Sequence, residues 1–261
     1  MSVRAIAGAV IVACASALPA AAAVQTRVVD YTQNGTPLQG MLAWDDANTG
    51  KRPGVVVVHE WWGHNEHARN QAKRLAEAGY VAFALDMYGK GKVTTHPDDA
   101  MTFMTEATKD PAVVKARFDA ALAVLKSDPH VDTTKIAAIG YCFGGGVVLN
   151  MAAAGEDLAA VATFHGALSA LGAVAPGTFK ARALVMTGAD DPFVPPDQVD
   201  AFKKKMAAAG ANAQVVVLPG AKHGFTNPDA DKAGMPQLAY SATADADSWK
   251  DLTAFLKDVF H

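Results

Sequence analysis

Cysteine is almost missing from this chain: there are two among 261 residues, Cys14 and Cys142. Two are too few for a disulfide scaffold or a thiolate metal cage. Basic residues have no majority, 23 against 26 acidic ones for a formal net charge of −3, so a nucleic-acid footprint is lacking. Charge of either sign is sparse at 19%, whereas apolar residues reach 51%, which excludes a disordered chain. Beyond the N-terminus no run reaches the roughly 18 uninterrupted apolar residues of a membrane-spanning helix. The length fits one large domain better than two small ones.

The N-terminus reads differently from the rest. Arg4 precedes an apolar run at 5–18, then Pro19 and four alanines at 20–23. A positive start, an apolar middle and an Ala-x-Ala end predict a signal peptide over 1–23, with the domain at 24–261 and a periplasmic or secreted destination. A membrane anchor is the bland alternative, disfavoured by the shortness of the run. Ile11-Val12-Ala13-Cys14 also resembles a lipoprotein cleavage box, but the alanines beyond it fit ordinary cleavage. Loss of the leader removes Cys14 and leaves Cys142 as a lone thiol, either buried and inert or kept for its reactivity.

After that point, strand-like and helix-like stretches alternate. Residues 28–31 and 38–44, joined through Asn34-Gly35, predict a hairpin. Four valines at 55–58 after Pro53-Gly54 read as a strand buried on both faces. A helix is expected over 66–78, ended by Gly79, then a strand at 81–85. Helices follow at 111–127 and 248–260, and short apolar runs at 136–139, 161–164, 183–186 and 215–218. Such alternation implies an α/β fold with a mostly parallel sheet and helices on both faces.

Sites in such sheets lie beyond the carboxyl ends of the strands, so the residues that end each run carry the argument. The run at 136–139 ends in Gly140-Tyr141-Cys142-Phe143-Gly144. Gly-x-Cys-x-Gly between a strand and a helix has the form of a nucleophile elbow with cysteine in place of serine. Small neighbours let the backbone pack tightly, and the helix N-terminus favours a thiolate. A structural cysteine in a glycine-rich turn is the competing reading. Against it stand Asp191 and His223, each just after a strand and in the order nucleophile, acid, histidine. Histidine can take the thiol proton while a carboxylate holds its tautomer. Asp190 is the alternative acid.

At these residues the chain resembles the dienelactone hydrolases, thiol members of the α/β-hydrolase superfamily, from about Tyr31 to the C-terminus. The resemblance rests on Gly140-Tyr141-Cys142-Phe143-Gly144-Gly145, on the Asp-x-Phe-Val-Pro form at 191–195 and on His-x-Phe at 223–225. It implies a Cys142–His223–Asp191 triad, Asp191 being preferred by its spacing from Gly188 and Val194. It also implies that Glu60 hydrogen-bonds the resting thiol and that the N–H groups of Trp61 and Phe143 form the oxyanion hole. In that family, basic residues bind the substrate carboxylate. Here Lys90 takes one such place, while the other holds the uncharged Asn227, and Gly224 replaces the family's serine after the histidine.

Competing chemistry is weaker. His59 and His64 are five apart, about 140° around a helix, where the zinc pattern needs four, so no metal is expected. His64 and His67 are read as partly exposed residues at a helix start, Lys203-Lys204-Lys205 as a solvated face, and Trp61 and Trp62 as cleft walls, with core packing as the alternative. His165 lines the pocket or serves structure. The expectation is a monomeric hydrolase of small esters or lactones with no cofactor, nucleic-acid partner or membrane insertion after leader removal. A broad carboxylesterase and a non-catalytic binding protein on the same fold are the alternatives.

Overall fold

The structure, a computed structural model, describes residues 24–260; the expected leader lies outside the described residues. Strands β1 (Val24–Gln33) and β2 (Thr36–Asp45) form the opening hairpin. Its turn residues Asn34 and Gly35 have φ of 46° and 77°, the left-handed pair that matches strand twist. The remaining strands are β3 (Arg52–Val58), β4 (Val81–Ala84), β5 (Val131–Tyr141), β6 (Ala160–Phe164), β7 (Arg182–Gly188) and β8 (Ala213–Leu218). They build an eight-stranded sheet in the order β1-β2-β4-β3-β5-β6-β7-β8, antiparallel through β2–β4 and parallel from β4 onward.

Helices α1 (Glu66–Glu77), α2 (Pro97–Thr108), α3 (Pro111–Ser127), α4 (Phe143–Ala153), α5 (Pro196–Ala208) and α6 (Ala242–Phe260) fill the connections. The four valines of β3 explain the layering. Val55 and Val57 face α1 and α6 across Leu75, Leu252 and Leu256, while Val56 and Val58 face α3 and α4 across Phe118, Leu125 and Val148. All four are fully buried, each contributing roughly 1.5–3 kcal/mol of apolar transfer. Among the described residues no helix is long and apolar enough to cross a membrane.

Several expectations change. The chain between β4 and α3 contains α2, which the sequence reading passed over because this helix buries few apolar residues, among them Ala100 and Ala107. His64 and His67 are buried, at 8% and 7% exposure, rather than partly exposed. Asn65 caps α1 through its Oδ1, which accepts from the Ala68 N–H, and that start turns the His67 face of α1 inward. Lys205 does not belong to the solvated face of α5: its ammonium donates to the carbonyls of Leu171 and Gly172.

Candidate active site

Strand β5 delivers Cys142 at a sharp turn into α4. The residue sits at φ 50° and ψ −114°, a conformation that costs a non-glycine residue about 1–3 kcal/mol and marks functional sites. Two glycines make the turn possible. A Cβ on Gly140 would lie 2.1 Å from the Gly144 carbonyl oxygen, and one on Gly144 would lie 2.4 Å from the Val58 oxygen. The Cys142 carbonyl accepts from the N–H groups of Gly145 and Ala167, which fixes the strained residue from both sides. Its thiol remains half-buried.

The end of β7 brings Asp191, and the loop after β8 brings His223. His223 Nδ1 donates to Asp191 Oδ2 at 2.8 Å, and Asp191 Oδ1 accepts from the Phe193 N–H at 2.8 Å. Asp191 is 3% exposed, whereas its neighbour Asp190 faces solvent. Burial alone would lower the His223 pKa; attraction to Cys142 and Asp191, with the hydrogen bond His223 donates to Asp191, outweighs it and raises it to about 10. Nδ1 is engaged by Asp191, so Nε2 is the nitrogen left for Cys142. The Phe193 ring stands edge-on to the His223 ring at 5.1 Å.

At the end of β3, His59 and Glu60 are both buried. The His59 ring is fixed between the Glu60 carbonyl at Nδ1 and the Met87 N–H at Nε2, the Nδ1–H tautomer, and burial lowers its pKa. Burial raises the Glu60 pKa to about 7 against the opposing pull of the Asn227 hydrogen bond and the His223 charge. The carboxyl turns to Asn227, whose Nδ2 donates to Oε2 at 2.7 Å, where the family resemblance implied the thiol. Among the described residues the Trp61 N–H makes no backbone hydrogen bond, and the Phe143 N–H is the first of α4 and has no partner within the helix. Both are available to an anion.

A layer of buried polar groups packs against the triad histidine. His165, at φ 42°, packs its ring 4.9 Å from that of His223. Its Nε2 is 3.1 Å from Thr226 Oγ1, which is 3.4 Å from His67 Nε2. Burial pushes His67 and His64 down to about 3 and His165 well below its usual value. The Tyr88 hydroxyl, fully shielded and without a partner, belongs to a ring 5.5 Å from Phe143.

Comparison with known proteins bears on what this arrangement belongs to. The Dienelactone hydrolase family matches residues 38–260 of the chain. Protein usf of Aquifex pyrophilus is 30% identical over 240 residues, covering 89% of this chain and 98% of its own length. The crystal structure of the dienelactone hydrolase-like promiscuous phosphotriesterase P91, from metagenomic libraries, is 38% identical with a TM-score of 0.84, covering 92% of this chain and all of that one. The chain belongs to the dienelactone hydrolase family. At 18% identity and a TM-score of 0.63, the α/β hydrolase MGS-M1 from a Medee basin deep-sea metagenome library shares the fold over 90% of this chain and 98% of its own.

In this dienelactone hydrolase family member Lys90 and Trp62, expected to bind substrate and to wall the cleft, each have partners of their own. The Lys90 ammonium is 2.8 Å from Asp30 Oδ2 on β1, in an exposed pair. Trp62 is buried against Ala100, Ala230 and Leu238, with the half-buried Trp61 beside it at 4.7 Å. Trp62, Thr226 and Asn227 also line a cavity of about 590 Å³ that α1 borders through His67, Gln71 and Arg74.

Proposed function

We propose that this protein hydrolyses small neutral carboxylic esters or lactones through an acyl-enzyme on Cys142. The observation that carries the reading is the strained Cys142 elbow beside a His223–Asp191 pair at 2.8 Å. The Cys142 thiolate attacks the carbonyl carbon, and the resulting oxyanion accepts from the N–H groups of Trp61 and Phe143. As the tetrahedral intermediate collapses, protonated His223 gives its Nε2 proton to the leaving alkoxide. Water then attacks the thioester, His223 takes its proton, and the thiolate leaves. Asp191 stabilises the imidazolium in both halves.

Preference for neutral substrates follows from where charge is spent. An incoming carboxylate gains most from a guanidinium fork. Here Lys90 is held by Asp30 and Asn227 by Glu60. Export through residues 1–23 is proposed on the leader pattern alone. The test of the function is a hydrolysis screen over neutral and carboxylated esters and lactones. We expect turnover of neutral members, abolished by iodoacetamide and by Cys142→Ala with the fold intact by circular dichroism. Turnover retained in Cys142→Ala refutes the mechanism. A phosphotriester belongs in the screen, since the relative P91 is described as a phosphotriesterase.

A further inference from the structure

His165 is fully buried beside the triad, and its backbone is strained, with φ at 42° in a residue that is not glycine. Strain of that kind persists where the surrounding structure holds a side chain in place. The His165 N–H donates to the Met186 carbonyl at 2.8 Å, which ties the turn after β6 to β7. Its ring meets that of His223 edge-on at 4.9 Å, and Phe193 makes a second edge-on contact at 5.1 Å. Two rings therefore confine the His223 imidazole.

From His165 a chain of hydrogen bonds runs back to α1 through the buried side chains of Thr226, His67 and Gln71. Its direction follows from the far end. Arg74 is a donor only, and its Nη1 lies 3.2 Å from Gln71 Oε1. That fixes the amide, so Gln71 Nε2 faces His67 Nδ1 at 3.5 Å and donates to it. His67 then carries its proton on Nε2, 3.4 Å from Thr226 Oγ1. The Thr226 hydroxyl, having accepted, gives its own hydrogen to His165 Nε2 at 3.1 Å. The His165 proton is left on Nδ1, which has no partner among the described residues.

We propose that Thr226 and His165 are positioning residues for His223: the chain from Gln71 locks the His165 ring in one tautomer and one orientation, and that ring holds the His223 imidazole toward Asp191. This rests on His223 being the proton carrier of the function proposed above. The lock also keeps His165 uncharged, because the hydroxyl donates to the lone pair that a second proton would need. A charged His165 would oppose the His223 imidazolium. The other titratable groups facing this pair are Asp191 after β7, Cys142 at the start of α4, Glu60 after β3, whose Oε1 is 4.0 Å from His165 Nε2, and His67 on α1.

The experiment uses the full chain labelled with ¹⁵N-histidine, whose ring nitrogens report the tautomer, with signals assigned by His67→Gln and His165→Gln. At pH 8 the unaltered protein should show His165 protonated on Nδ1 and His67 on Nε2. Gln71→Glu puts an acceptor where the donor stood and keeps a partner for Arg74, so both histidines should change to the opposite tautomer. Thr226→Val and Thr226→Ala remove the hydroxyl, one filling its space and one leaving it open. Both should leave His165 in mixed tautomers and weaken the downfield proton signal of the His223–Asp191 hydrogen bond, and Thr226→Ser should retain both features. With an ester that the unaltered protein hydrolyses, the Val and Ala variants should lose about 10–100-fold in kcat with little change in KM, and Thr226→Ser should stay near the unaltered rate. His165 protonated on Nε2 in the unaltered protein, tautomers unmoved by Gln71→Glu, or an unmoved kcat in the Val and Ala variants overturns the proposal. The ring signals need no substrate. A protein that hydrolysed no ester would sink the proposed function and leave the His223–Asp191 proton to decide the role of Thr226. Hydrolysis by a protein whose tautomers did not move would keep the function and sink the positioning role.

Discussion

His223 and His165 lie 4.9 Å apart between ring centroids, both buried, yet they are driven in opposite directions. His223 has Asp191 on Nδ1, is attracted to Cys142 as well, and is raised to about 10. His165 has a threonine hydroxyl on Nε2, no partner on Nδ1, and a pKa pushed well below its usual value by burial. Burial acts on both alike; the carboxylate and the thiol decide the sign. The same contrast runs along the rim of the sheet. The ends of β5 and β7 and the loop after β8 gather groups that charge one another. The ends of β3 and β6, with α1, gather histidines that stay neutral beside the raised carboxyl of Glu60.

Breaking the comparison on the charged side gives the largest effect. Asp191→Asn keeps the shape but removes the anion that holds the imidazolium. Steady-state kinetics should show a loss of about 10³–10⁴-fold in kcat, the scale known for this change in serine triads, with the circular dichroism spectrum retained. A loss below tenfold would shift the acid role to Asp190.

The neutral side is tested by acid. His64 and His67 are lowered to about 3 by burial, so the unfolded chain binds their protons first. Their stability contribution is present above the unfolded value near 6.5 and is lost as pH falls toward 3. Urea midpoints should fall steeply below pH 6, with on the order of 2 kcal/mol lost per histidine by pH 5, and His67→Gln should flatten that slope. His223 behaves oppositely: its contribution is complete below pH 6.5 and disappears as pH rises through about 10. A stability profile flat between pH 4 and 7 contradicts the neutral layer.

Glu60 belongs to the same layer and gives the smallest effect. Its pKa is raised to about 7 by burial, so the native state binds its proton more tightly than the unfolded chain and stability declines as pH rises from about 4.5 through 7. Glu60→Gln should remove that decline and gain about 1–3 kcal/mol by chemical denaturation at pH 8.5. Destabilisation at that pH would show that the ionised carboxylate earns its place in the fold.

The charged groups were legible in the sequence and the neutral ones were not, for a physical reason. Cys142, Asp191 and His223 each follow a short apolar strand, and strand ends announce themselves through valine runs and the Gly and Asp residues after them. The four valines at 55–58 likewise marked β3, and Asn34-Gly35 marked the hairpin. Burial of His67 has no such local signature, because it depends on Tyr141 and Thr226 arriving from distant elements. A faint signal existed: His67, Gln71 and Leu75 recur at a four-residue spacing on one face of α1, all buried. Asn227 could be read as a turn residue before Pro228, but its hold on Glu60 spans 167 positions. Helix α2 escaped because it buries too little to leave a stripe.

The central claim, that Cys142 carries the acyl group, is tested most directly by intact-protein mass spectrometry after mixing with a slowly turned-over ester. The account predicts a single added acyl mass that peptide mapping places on Cys142 and that is absent from Cys142→Ala. An acyl mass that persists in Cys142→Ala, or turnover with no cysteine adduct in any variant, would contradict it.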